Sequence, residues 1–320
     1  MPLRRHLLAA AVAATLTGGP ALAAFPEKSI TIVVPTAAGG ANDAMARTIG
    51  QGLSTALKQP VIVENKAGAG GALAAEFVAK AAPDGYTLML GYIATHAMNP
   101  ALQKLRYDPV KDFEAVGLVG YSPVLMVTNP GVKAANAKEL VALLKGAPDK
   151  YSYASAGNGT APHFSAEIFK LESGAQMAHV PYRGAAPAMT DLLGGQVDMM
   201  FATAAAAAPQ IAGGKLRALA VTSTERSPAM KSVPTIAETV PGYAVESWYG
   251  LYAPAGTPPD VIAKLNAAAK KAAHSPEFSK KIEHEGLAVV ASEPAEFDRY
   301  VKAEEARWRK IVKENNIKPD

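Results

Sequence analysis

The sequence predicts an α/β protein, and three observations carry that reading. Short runs of β-branched residues alternate with longer helical patterns through most of the chain, the signature of βαβ units and a mostly parallel sheet. The runs end in glycine-containing turns that open helices. With 49% apolar and 19% charged residues in 320, the chain carries a full core and is neither disordered nor fibrous. At roughly 150 residues per domain, the length fits two domains.

Taken in order, Ile30-Thr31-Ile32-Val33-Val34 reads as a buried strand, followed by a helix near Asn42 to Leu57. Val61-Ile62-Val63 is the next strand, with Gly68-Ala69-Gly70-Gly71 and a helix to about Ala81 behind it. Thr87-Leu88-Met89-Leu90 follows the Pro83-Asp84-Gly85 turn. A second series begins at Leu125-Met126-Val127 and continues with Tyr151 to Ala154, Ala178 to Val180, Val197 to Phe201 and Leu216 to Val221. Trp248 to Tyr252 is one more strand. Thr257-Pro258-Pro259-Asp260 then predicts a helix start with a capping Thr, an early Pro and an acid that complements the dipole. A last helix from about Pro294 sets Phe297, Val301, Trp308 and Ile311 close to one face, a stripe that packs onto a domain.

The formal charge of +4 invites a nucleic-acid reading, so its location matters. Arg4-Arg5, an apolar stretch from Leu7 to about Leu16 and the triplet Ala21-Leu22-Ala23 form a secretory signal peptide over residues 1–24, with cleavage near Ala23 or Ala24. Gly18-Gly19-Pro20 breaks the stretch too early for a membrane span, so no stable membrane insertion is expected. Without Arg4 and Arg5 the balance is 30 basic against 28 acidic groups. The carboxy-terminal Arg307, Arg309, Lys310 and Lys313 alternate with Glu304, Glu305 and Glu314, as on a solvated helix face. No nucleic-acid partner is expected. The absence of cysteine excludes disulfides, thiolate metal sites and a thiol nucleophile.

Signatures of catalysis are missing: no Gly-x-Ser-x-Gly elbow, phosphate loop or His-Glu-x-x-His occurs. Gly68 to Gly71 lacks the last glycine of the dinucleotide fingerprint and reads as a tight turn. His96, His163, His179, His274 and His284 are too scattered for a metal site, and no cofactor or metal is expected. One arrangement occurs twice. A strand leads into Pro35-Thr36-Ala37-Ala38-Gly39-Gly40-Ala41-Asn42-Asp43, and another into Ser155-Ala156-Gly157-Asn158-Gly159-Thr160-Ala161-Pro162-His163, each opening a helix. Helix amino termini carry open N–H groups and a positive dipole end, and glycine keeps Cβ atoms out of an anion's way. If the two series are two lobes, the loops face each other across a cleft that suits a small molecule with two anionic ends, or one anionic and one polar end.

These residues, together with Ala81 to Leu88, Tyr107 to Phe113, His179-Val180-Pro181-Tyr182-Arg183-Gly184, Asp191 to Asp198, Gly214 to Thr222 and Ser247 to Leu251, resemble the periplasmic solute-binding receptors of tripartite tricarboxylate transporters, the Bug or TctC-like proteins. The resemblance spans essentially the whole chain after residue 24. It implies a two-lobed, type II periplasmic-binding-protein architecture, with residues 25–122 plus 246–320 in one lobe and 123–245 in the other. It also implies a monomer that closes on its ligand by hinge motion, hands it to membrane permease subunits and catalyses nothing. The ligand is expected between Thr36, Ala38, Gly39, Gly40 and Asn42 on one side and Ser155, Asn158, Gly159, Thr160 and Ala161 on the other.

Thr36 and Ala38 are smaller than the aromatic residue and proline usual in this family, and Asn42 stands where a small hydroxyl residue is common. After Phe201 the chain has Ala202-Thr203-Ala204 in place of an acid or amide. These departures point to a dicarboxylate with an uncharged core, such as terephthalate, rather than an amino acid. Tyr92 and Thr95 are candidate cleft-wall residues, and His96 beside them reads as a packing histidine. Asp43 complements its helix dipole. Asp198 either orients a water or a ligand hydroxyl or pairs with a backbone N–H, and Arg183 either contacts the ligand or forms a salt bridge. The competing reading is a secreted hydrolase or isomerase of small organic acids with His163 or Asp198 as base.

Overall fold

A computed structural model describes residues 25–122, 124–148, 150–227, 230–283 and 288–314. The expected signal peptide lies outside the described residues. The strands form two sheets. The first contains β1 (Ile30–Val34), β2 (Val61–Asn65), β3 (Thr87–Tyr92), β4 (Phe113–Ser122), β10 (Ser247–Pro254) and β11 (Ala288–Val289), in the order β11-β4-β10-β3-β1-β2. The second contains β5 (Val124–Thr128), β6 (Ser152–Ser155), β7 (Ala178–Pro181), β8 (Met199–Thr203) and β9 (Arg217–Val221), in the order β7-β6-β8-β5-β9.

β1 lies between β2 and β3, parallel to both, and four of its five residues are buried, which is why it reads as a continuous apolar run. α1 (Ala41–Leu57) turns Met45, Ala46, Ile49 and Leu53 into the core and packs against α8 (Pro259–Ala273). In the second sheet Met126, Tyr153, Met199 and Phe201 face a core shared with the first sheet. Their neighbours Leu125, Val127, Ala154, Met200 and Ala202 face a separate cluster on the other side, the two-residue alternation of a strand. α4 (Ala137–Gly146), α5 (Ala161–Ser173), α6 (Ala185–Leu193) and α7 (Ala204–Ala212) complete this half.

The expectation of mostly parallel sheets is corrected: both are mixed. β10 runs antiparallel to β3 and β4, and β5 runs antiparallel to β8 and β9. The reason is the crossing of the chain. β4 leads out of the first sheet directly toward β5, and the stretch after β9 leads back to β10. The outgoing and returning segments lie side by side and run in opposite directions, tied by Thr222 N to Val124 O (2.9 Å) and Val245 N to Thr222 O (3.1 Å). β4 escaped the sequence reading because Gly117 and Gly120 interrupt its β-branched run.

Thr257 is a second correction. Its hydroxyl donates to Pro254 O at 2.7 Å, and α8 begins at Pro259 without a side-chain cap, although Asp260 does sit in the first turn. α10 (Pro294–Glu314) buries Phe297, Val301, Glu304, Trp308 and Val312, while Ile311 is only partly buried. Glu304 is tolerated in that stripe because its carboxylate accepts from Trp248 Nε1 and Trp308 Nε1, both at 3.3 Å, and from Arg307 at 3.0 Å. Trp308 then meets Phe164 of α5 edge-on, with ring centroids 5.6 Å apart.

β10 passes so close to α10 that a Cβ on Gly250 would lie 2.0 Å from the Phe297 ring. Gly250→Ala is therefore expected to destabilise the protein by about 2 kcal/mol through overpacking, read as a lowered midpoint in denaturant unfolding.

Candidate functional site

The two glycine loops leave the carboxyl ends of β1 and β6. Each opens a helix whose cap residue, Gly40 for α1 and Thr160 for α5, is extended and makes no side-chain capping bond. The first-turn N–H groups, which in α5 exclude Pro162, thus meet no side-chain cap among the described residues, with the dipole of 17 and 13 residues behind them.

The first loop is held from below. Asp43 Oδ2 accepts from Gly39 N and Arg47 Nε, each at 3.0 Å, and Asn65 Nδ2 donates to Thr36 O at 3.0 Å. Gly39 adopts φ +83°, a conformation that favours glycine, with open space where a Cβ would be. Its N–H is engaged by Asp43, so Asp43 shapes the loop. Ala38 and Gly39 form the exposed tip. Beneath the tip, Thr36 Oγ1 and Asn42 Nδ2 are buried without a hydrogen-bond partner among the described residues. Such groups are costly unless an acceptor reaches them.

In the second loop Ser155 Oγ accepts from Gly157 N at 3.1 Å and lies 2.7 Å from His179 Nε2, while Thr160 Oγ1 donates to Gly157 O at 2.6 Å. Gly159 N donates to His163 Nδ1 at 3.4 Å, and the His163 ring stacks on His179 at 4.6 Å. Ser155 and Thr160 therefore shape the loop. Asn158 is exposed, Ala161 is buried, and Ala161 N–H belongs to the open first turn.

The segment after β3 joins the two loops. A π-helical turn, Ala94–Met98, leads into α3 (Asn99–Leu102). Thr95 Oγ1 bonds the backbone of Tyr92 at 3.0 and 3.1 Å and lies 2.9 Å from His96 Nδ1. A Cβ on Gly71 would stand 2.7 Å from Thr95 Cγ2, 2.9 Å from Pro35 Cβ and 3.5 Å from Tyr92 Cε1. Tyr92 and Thr95, both buried, thus meet Pro35 at the base of the first loop around Gly71. His96 stacks on Tyr252 at 3.8 Å, and burial pushes its imidazole down to about 3, so it is a neutral packing histidine. Asn99 donates from Nδ2 to Gly70 O at 2.8 Å and abuts Gly159 of the second loop. Sequence reasoning missed Asn99, since an Asn before Pro reads only as turn punctuation.

Asp198 does not join this group. It precedes β8, and its carboxylate accepts from Ser152 N at 2.7 Å, at the start of β6 and hence at the opposite end of the strand from Ser155. Proximity in sequence to a strand did not say which end of the sheet it would occupy. Arg183 is exposed beyond β7 at the loop end, where Tyr182 N donates to Ser155 O at 3.1 Å. A surface concavity between Lys104, Arg106, Asp108 and Arg309 contains none of the loop residues.

Partial burial opposes ionisation of Asp43, but the hydrogen bonds from Arg47, Gly39 and Asn65 outweigh it and hold its pKa below the ordinary 3.8. A depressed carboxylate pKa contributes stability that is complete above 3.8 and is lost as pH falls through the lower folded value. Asp43→Asn should therefore lower Tm at pH 7 and lose less of it on acidification, so that the melting curves of variant and parent converge in strong acid.

Residues 45–317 match the family described as "Tripartite tricarboxylate transporter family receptor", TctC. Protein BugT of Bordetella pertussis is 35% identical over 297 residues, which cover 92% of this chain and 91% of BugT. Among solved structures, an R. palustris protein with adipate has a TM-score of 0.87 at 34% identity, covering 92% of this chain and 100% of that one. MatC from Rhodopseudomonas palustris with bound malate has a TM-score of 0.85 at 36% identity, covering 90% of this chain and 100% of its own.

Proposed function

Because the chain belongs to the tripartite tricarboxylate transporter receptor family, whose members are periplasmic solute-binding proteins, we propose that it captures a small dicarboxylate with an uncharged core and delivers it to the permease of such a transporter without altering it. The observation that carries this reading is the pair of uncapped helix amino termini, one from each sheet, with the unpartnered Thr36 Oγ1 and Asn42 Nδ2 beside the first. One carboxylate sits on the α1 terminus against Asn42, and the other end of the ligand sits on the α5 terminus at Ala161. Residues 25–122 plus 246–320 form one lobe and 123–245 the other, and residues 1–24 direct export and are removed.

Charge and composition support the same reading. Anion binding here uses helix dipoles, which suits a chain with little net charge. Ala202, Thr203 and Ala204, at the end of β8 and the start of α7, bring no carboxylate to hold a ligand ammonium group. Adipate and malate, bound by the two relatives, are likewise dicarboxylates without a charged core. The hydrolase or isomerase reading loses one of its two candidate bases, because the Asp198 carboxylate is bonded to Ser152 at the far end of the sheet.

A thermal-shift panel of malate, adipate, terephthalate and glutamate tests the proposal. A dicarboxylate at 100 times its Kd should stabilise the protein by about 2.7 kcal/mol and be recovered unchanged. Tight glutamate binding with no response to any dicarboxylate overturns the ligand class, and turnover of the ligand overturns the receptor reading. Asn42→Ala should weaken the preferred dicarboxylate by about tenfold or more, measured by calorimetry, because a hydrogen bond to a charged group is lost.

A further inference from the structure

We propose that Asn99 is a positioning residue that biases the receptor toward its open form, so that closure requires ligand and release follows readily; this rests on the receptor reading above. The geometry is a single side-chain amide held between two glycines. Asn99 is fully buried, and Nδ2 donates to Gly70 O at 2.8 Å, which fixes the orientation of the amide because only the amino group donates. A Cβ on Gly70 would stand 2.5 Å from Asn99 Nδ2 and 3.2 Å from Asn158 O, and a Cβ on Gly159 would stand 2.1 Å from Asn99 Oδ1. Gly70 and Asn99 follow strands of the first sheet, whereas Asn158 and Gly159 follow β6 of the second.

Asn99 Oδ1 is buried without a hydrogen-bond partner among the described residues. Its neighbour across the seam is the Gly159 backbone, which offers at most a weak C–H contact. Bringing the second loop against Asn99 therefore strips water from an acceptor and returns little in exchange. When the loops part, Oδ1 is hydrated again while the bond to Gly70 is kept. The stranded acceptor thus weighs against this contact, and an anion bridging the α1 and α5 termini would offset that cost. Gly159 accordingly lacks a side chain because of Asn99, not only to admit an anion.

The test is a mutant cycle on the full chain, with adipate and malate as probes, stopped-flow rates and small-angle scattering of the ligand-free proteins. Asn99→Ala removes the stranded acceptor: dissociation should slow by about fivefold or more with association unchanged, and the ligand-free form should become more compact. Gly159→Ala sets a methyl group into the amide, so affinity should fall by about tenfold or more through faster dissociation. The double variant should recover most of that loss, because the clash is gone while the backbone strain at φ +75° is common to both Gly159 variants. Faster dissociation from Asn99→Ala, or single effects that simply multiply in the double variant, overturns the proposal and leaves the receptor reading intact. Parent protein that binds neither probe counts against the ligand class alone if Asn99→Ala still compacts the ligand-free form, and against this proposal if it does not.

Discussion

The arrangement depends on β10. Every residue of this strand is buried, and it lies between β3 and β4 in the middle of the first sheet. A strand that enters late in the chain and is covered on both sides obliges the chain to leave along β4, build a second sheet and come back. The outgoing and returning segments must then run in opposite directions at one place. That single constraint explains the mixed sheets, the discontinuous composition of the first one, and the proximity of the ends of β3 and β6. α10 completes it, with Phe297 filling the space that Gly250 leaves and Trp308 reaching Phe164 beside the second loop.

From this follows a site whose electrostatics are those of the backbone. Two helices end without caps near the seam, and the polar side chains around them divide into two kinds. Asp43, Ser155 and Thr160 are engaged in bonds that shape the loops. Thr36 and Asn42 beside the α1 terminus, and Asn99 at the seam, each keep one buried polar atom without a partner among the described residues. A buried polar atom left without a partner is costly to keep. Asn99 Nδ2 is bonded to Gly70 O, while its Oδ1 faces Gly159 of the second loop.

Much of the fold was legible locally. Ile30 to Val34, the α1 pattern and the alternation in the second series of strands reflect burial on two faces or on one, which a period in the sequence records directly. The two glycine loops were legible as strand-to-helix turns, because glycine, Asn and Thr favour turns and helix starts. β4 was not, since its glycines meet neighbours contributed by other parts of the chain. Thr257 misled because a hydroxyl beside a proline serves either a helix or the preceding turn, and the carbonyl of Pro254 lay closer.

By itself the sequence determined the α/β class, the two helix starts that follow glycine loops and the family, all of which depend on residues near one another in the chain. Only the tertiary structure decided that Asp198 faces away from the loops, that Tyr92, Thr95 and Pro35 meet around Gly71, and that Asn99 stands against Gly159. Those outcomes turn on strand order and direction, which are set by the packing of distant segments around β10 and leave no periodic trace in the residues concerned.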